Sequence, residues 1–184
     1  MISDQTRKVL IFSKLKGVGR VKLEEIIKIE GFDIKNPEDI VSSIIKQRIV
    51  KIDKDALINA EEIAENDIQE SGKKASNIIS ILDNEYPEIL RKTVGKPTIL
   101  YIQGQMPKLP SVAIIGTREP TDHGKIIAER ISQYFSENGW SIVSGLALGC
   151  DTIAHQTAVN NKSHTTAVLA HGLDTISPKS NEKL

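Results

Sequence analysis

The run Val112-Ala113-Ile114-Ile115-Gly116-Thr117-Arg118-Glu119-Pro120-Thr121 constrains this chain more than any other stretch. Four apolar residues, mostly β-branched, stop abruptly at a glycine, a hydroxyl residue and an arginine. That pattern predicts a buried parallel strand whose carboxyl end opens into a phosphate-accepting turn. Open parallel sheets bind ligands beyond the carboxyl ends of their strands. A guanidinium placed there can hold a phosphate through two parallel charge-assisted hydrogen bonds. Downstream, a helix near 123–138, a strand at 140–143, a helix near 151–160 and a strand at 165–169 follow in alternation. Short loops between such elements imply right-handed βαβ units and a parallel sheet.

The first third of the chain has a different period. Val9, Leu10, Phe12 and Leu15, then Leu23, Ile26 and Ile27, then Ile40, Ile44 and Ile45, then Leu57, Ile58 and Ile63 recur at helical spacing and predict a bundle of short helices. Asn36-Pro37-Glu38-Asp39 is a strong helix start, with an N-cap, a proline in the first position and acids in the first turn. The character changes near Ser71-Gly72, which divides the chain into a helical domain, 1–72, and an α/β domain, 73–184. Ile78–Leu82 and Thr98–Ile102 read as further strands, with a short segment at Glu88–Leu90 between them.

A second glycine-rich loop, Ser144-Gly145-Leu146-Ala147-Leu148-Gly149-Cys150-Asp151, follows the strand at 140–143 and faces the same sheet edge as Gly116, Thr117 and Arg118. Its glycines permit a tight turn and a close backbone approach, and free N–H groups at the next helix start attract anions. Together the two loops predict an anion or nucleotide site, although strand-to-helix turns use glycine for conformational reasons alone. The third strand end, Ala170-His171-Gly172-Leu173-Asp174, is expected to line the same crevice. A single glycine before Thr-Arg does not make a dinucleotide fingerprint, and no P-loop pattern occurs. His155, four residues after Asp151, reads as a packing or hydrogen-bonding residue rather than a general base, because no serine or cysteine nucleophile has an evident partner. His123, His164 and His171 lack metal-ligand spacing, so no metal is expected.

Near the N-terminus, Leu15-Lys16-Gly17-Val18-Gly19-Arg20 reads as helix, Gly-x-Gly hairpin, helix. Lys14, Lys16, Arg20 and Lys22 surround the two glycines, as in helix-hairpin-helix modules that hold nucleic-acid phosphates without reading sequence. A tight helix connection with solvated lysines is the competing reading.

Composition bounds the rest. Lysines and arginines number 24 and acids also 24, so any anion site must be a local basic cluster. One cysteine, Cys150, can form no internal disulfide and suits a reducing compartment. No apolar run approaches the roughly 18 to 20 residues of a membrane span, and Met1-Ile-Ser-Asp-Gln-Thr-Arg lacks a signal-peptide core. The expectation is a cytoplasmic protein with no membrane segment.

These pieces resemble the DNA-processing protein A (DprA/Smf) family. The resemblance is carried by Val112-Ala-Ile-Ile-Gly116-Thr117-Arg118-x-Pro120-Thr121-x-x-Gly124 and by Ser144-Gly145-Leu-Ala-x-Gly149-x-Asp151-x-x-Ala154-His155-x-x-Ala158. It continues through Thr166–Leu169, Gly172-Leu173-Asp174, Pro178, Asn181 and Leu184, with Tyr86-Pro87-x-x-Leu90 and Lys96-Pro97-x-x-Leu100-Tyr101-x-x-Gly104 as a lead-in. It implies an α/β chain in which a helical sterile-alpha-motif-like or helix-hairpin-helix domain precedes a Rossmann-like domain. It also implies a non-enzymatic, dimeric protein that binds single-stranded DNA, protects incoming strands in natural transformation, helps load the RecA recombinase and needs no cofactor. By matching positions, Gly116, Thr117 and Arg118 would contact a DNA phosphate, and Ser144, Gly145 and Gly149 would form the adjoining wall. Lys16, Gly17, Gly19 and Arg20 would be a secondary contact.

The chain departs from the family at Leu148, where a basic residue is usual, at Cys150, where isoleucine is usual, and at Ser177, where tyrosine is usual. It ends soon after the third strand of the series, so a sheet edge and apolar faces should lie open. A fragment of a longer Rossmann-like domain is therefore expected. Two other readings stay open: a nucleotide-processing enzyme of the lysine-decarboxylase-like Rossmann group, although its Pro-Gly-Gly-x-Gly-Thr loop is absent, and a non-functional remnant.

Overall fold

The computed structural model describes residues 2–184, and for Lys54 the backbone alone. The chain forms two compact units, Met1–Gly104 and Gln105–Leu184.

The first unit contains α1 (Asp4–Ser13), α2 (Arg20–Ile27), α3 (Pro37–Lys46) and α4 (Lys54–Lys73), then β1 (Ser76–Ser80), the single turn α5 (Glu88–Arg91) and β2 (Ile99–Gln103). Side-chain caps begin three of its helices: Ser3 accepts from Thr6 N, Asn36 from Asp39 N and Asp53 from Ala56 N. Each cap satisfies one of the free amides of a first turn, which favours starting the helix there. Val9, Leu10, Phe12, Ile26, Ile40 and Ile44 form a fully buried core, and Ile78 of β1 belongs to it.

β1 and β2 pair antiparallel, from Ser76 opposite Gln103 to Ser80 opposite Ile99. This hairpin therefore completes the helical unit instead of opening the α/β domain, and the division falls at Gly104, not near Ser71-Gly72. The reason is local. α4 runs through Ser71 and Gly72 to Lys73, and Ile78 is the apolar residue its neighbours bury. Composition changes where helix gives way to strand; the core changes only where β2 ends.

Lys8 is buried in this unit, and its Nζ donates to the carbonyl oxygens of Phe32 and Asp33 at 2.6 Å each and of Lys35 at 3.1 Å. The ammonium satisfies backbone acceptors of the turn between α2 and α3 that would otherwise lack donors.

The second unit contains β3 (Ser111–Ala113), α6 (Asp122–Glu137), β4 (Ser141–Ser144), α7 (Cys150–Asn160), β5 (Thr165–Ala167) and a 3₁₀ turn at Lys179–Asn181. The strands form a parallel sheet in the order β3-β4-β5, with Val112, Ile142 and Thr165 in one row across it. Sequential order and right-handed crossovers put α6 and α7 on one face. Ile114, Ile142, Ala154 and Ala158 form the core between helices and sheet, with Val112 and Phe135 against them. Ile115, two residues beyond β3, is 78% exposed, and Val168 beyond β5 is 63% exposed.

Candidate functional site

Two loops leave the carboxyl ends of β3 and β4 and lie against each other. A Cβ on Gly149 would stand 2.3 Å from the Thr117 carbonyl oxygen, and one on Gly116 would stand 2.6 Å from Cys150 Sγ. Only glycine permits either approach, and Gly149 has φ 79° in addition. The Cys150 amide, first in α7, donates to Thr117 O at 3.1 Å and so joins the loops. Thr117 Oγ1 accepts from the Glu119 amide at 3.2 Å and shapes the turn that presents Arg118.

Peptide groups of the 144–149 loop find partners in α7 and in the 3₁₀ turn. Asp151 Oδ2 accepts from the amides of Gly145 at 3.0 Å and Ala147 at 3.4 Å. Thr152 Oγ1 donates to Ala147 O at 2.7 Å, and Asn181 Nδ2 donates to Leu146 O at 3.0 Å. Ser144 is buried, and its hydroxyl donates to Ile114 O at 2.6 Å, tying β4 to β3. Ser144 and Gly145 thus have structural partners, the latter with Ala147 on the Asp151 carboxylate.

Beside these loops lies an open groove of about 590 Å³. Arg118, Lys125 and Glu119 bring charge to it, Pro120, Leu148 and Ile153 bring apolar surface, and Gly149, Thr152, Ser180 and Asn181 complete the lining. Arg118 is exposed, and among the described residues its guanidinium has no carboxylate partner. Lys125, in the first turn of α6, pairs with exposed Asp122 at 2.8 Å; an exposed pair of this kind contributes little and gives way readily. Of the expected site residues, Arg118 and Gly149 line the groove, while Gly116 and Thr117 shape the turn behind it. The Ala170–Asp174 segment is not among the lining residues, and the Lys179–Asn181 turn stands there instead. Lys125, Thr152 and Ser180 were not anticipated. A lysine one turn into the helix after Pro120-Thr121 was the available signal.

His155 is 2% exposed, and its Nδ1 lies 2.6 Å from Thr165 Oγ1. The Thr165 hydroxyl donates to Ile142 O, so the bonding pattern assigns the donor to His155 Nδ1. Burial holds the imidazole below its ordinary pKa, against the upward pull of Asp151 one turn away. Its role is to tie α7 to β5.

In the N-terminal hairpin, Gly17 has φ 81° and Gly19 is the extended N-cap of α2 with open space beside it. The four cations expected around them are not all available. Lys14 pairs with Asp67 and Arg20 with Glu24 at 2.7 Å. Burial raises the Asp67 carboxyl, but hydrogen bonds from Lys14 and Tyr101 outweigh it and hold the pKa below the ordinary value. Of these four, Lys16 and Lys22 stand outside ion pairs among the described residues.

The model of the DNA recombination-mediator protein A family matches residues 77–184, which include the whole βαβ series and both loops. The chain belongs to that family. Protein Smf of Synechocystis sp. is 32% identical over 95% of this chain and 46% of its own length. The DNA processing protein DprA of Streptococcus pneumoniae is 41% identical over 57% of this chain and 38% of its own length. The chain thus spans less than half the length of these two relatives. The X-ray structure of DprA from Streptococcus pneumoniae superposes with a TM-score of 0.75 at 27% identity, covering 97% of this chain and 62% of that one. A structure described as giving the single-stranded DNA binding mode of DprA from Helicobacter pylori matches with a TM-score of 0.52 at 33% identity, over 59% of this chain and 48% of that one. The mixed α/β architecture with its Rossmann-like parallel sheet is the fold of these family members.

Proposed function

We propose that this chain is a single-stranded DNA-binding module of the DprA/Smf type, whose groove beside Arg118 grips a backbone phosphate. The observation that carries the reading is Arg118 itself: an exposed guanidinium without a carboxylate partner, set on a shaped turn at the carboxyl end of a parallel strand, with Lys125 in the same groove. Such a pair favours a phosphodiester. A phosphate contact carries no sequence information, so binding should be tolerant of sequence. Leu148 and Ile153 supply apolar surface for sugar or base.

The mode is binding without turnover. The Ser144 hydroxyl is held by Ile114 O, and the His155 imidazole is buried and stands outside the groove lining. No cofactor enters this reading. The whole protein would protect incoming DNA during natural transformation in the cytoplasm, act as a homodimer and assist RecA loading. The Gly17–Gly19 hairpin would add a secondary phosphate contact through Lys16 and the Gly17 and Gly19 amides, with Arg20 recruited from Glu24.

Fluorescence anisotropy with a labelled oligothymidylate at several salt concentrations tests the reading. The intact chain should bind with marked salt dependence. Arg118→Ala should weaken binding about tenfold and lower the slope of log K against log salt by about 0.7, the loss of one single-strand phosphate contact. An unchanged affinity in Arg118→Ala would sink this site.

A further inference from the structure

We propose that Asn181 is the positioning residue of the groove. Its carboxamide clasps the 144–149 loop to α7 and to the 3₁₀ turn, so that the groove wall is set before DNA arrives. The inference rests on the DNA-binding reading above. Asn181 is 6% exposed, although it lies beyond a run from Val168 to Ser177 without regular structure. Its Nδ2 uses both hydrogens, one on Leu146 O at 3.0 Å and one on Thr152 Oγ1 at 2.8 Å. Thr152 passes its own hydrogen to Ala147 O at 2.7 Å. One side chain therefore governs two successive carbonyl groups of the loop, directly at 146 and through a relay at 147.

The loop needs such a restraint. Leu146 has φ 58°, a backbone conformation that an L side chain disfavours and that persists only where surroundings hold it. Asp151 holds the N–H side of the loop from within α7, and Asn181 holds the C=O side from the far end of the unit. Without the clasp, the Leu146 carbonyl loses its donor and the Thr152 hydroxyl loses the partner that orients it toward Ala147 O, so the strained residue can relax and move Leu148 and Gly149 where they line the groove. The core of the unit, Ile114, Ile142, Ala154 and Ala158, does not include Asn181. Loss of the clasp should therefore loosen the site without unfolding the sheet. Restraint of this kind lowers the ordering cost of binding, and affinity gains accordingly.

The test pairs oligothymidylate anisotropy with hydrogen–deuterium exchange of the DNA-free protein, read on peptides covering the 144–149 loop. Asn181→Leu keeps the volume and adds no charge. It should bind DNA about tenfold more weakly and exchange faster in that loop, with near-native exchange in β3 and β4. Thr152→Val should do the same, and Thr152→Ser, which retains the relay hydroxyl, should behave as the unaltered protein. Should Asn181→Leu fail to fold, the Thr152 pair decides alone. Weaker binding with unchanged loop exchange would make Asn181 a direct DNA contact and overturn the proposal, as would faster exchange with unchanged affinity. If the unaltered protein binds no DNA, the functional reading falls, and unaltered loop exchange in Asn181→Leu would then dispose of the clasp as well.

Discussion

Gly149 shows at the scale of one residue what a pattern can and cannot say. A glycine in a strand-to-helix loop is readable as a turn, and its φ of 79° agrees. That the same residue is the point where two loops touch, with Thr117 O 2.3 Å from a would-be Cβ, depends on a partner 32 positions away in the chain. Gly149→Ala must push apart backbone against backbone. It should cost about 1–3 kcal/mol in urea denaturation and at least tenfold in oligothymidylate affinity, a loss measured by the same titration as for Arg118. Ser144 and Gly145 illustrate the converse. Their residue types suit an anion site, yet Ile114 O and the Asp151 carboxylate hold them. A serine, two glycines and an aspartate in a row cannot reveal whether the aspartate turns inward and takes the amides for itself.

Among the elements, α1 and β1 meet at a polar node. Ser3 Oγ donates to Asp83 Oδ1 at 2.6 Å, Thr6 Oγ1 lies 2.6 Å from Ser80 Oγ and also bonds Asp83, and the Ser80 amide donates to Asp83 Oδ2 at 2.7 Å. Burial raises the Asp83 carboxyl, but bonds from Ser3, Ser80 and Thr6 outweigh it and hold the pKa below 3.8. A carboxyl depressed in the folded state stabilises fully above its unfolded pKa and loses that contribution as pH falls through the folded value. Asp83→Asn should therefore lower the urea midpoint at pH 7 and flatten its decline below about pH 4. The Asp67 node, shifted in the same direction, keeps part of that decline in the variant. A decline identical to that of the unaltered protein would contradict the assignment. The helices, the Asn36 cap and the βαβ series were legible, because period and capping are local. The pairing of β1 with β2 was not, since an apolar run marks a strand and leaves its partner and direction open.

For the whole molecule, the division at Gly104 has a direct consequence. A piece covering residues 1–104 should fold with a cooperative thermal transition by circular dichroism, because it contains the complete first core. A piece ending at Gly72 should be largely unfolded, since it lacks Ile78 and the Ser80–Asp83 partners of α1. A cooperative transition in the shorter piece would restore the boundary near Ser71-Gly72. The sequence by itself determined the helical start, the βαβ order and the two glycine loops, because each rests on spacing within a few residues, and the succession of motifs from Tyr86 to Leu184 carried the resemblance to the family. Tertiary structure alone decided that the hairpin completes the helical core, that Asp151 and Asn181 close the second loop, and that Arg118 is left with Lys125 to line the groove. Those outcomes depend on which buried polar groups find partners from distant segments, and local pattern carries no record of that competition.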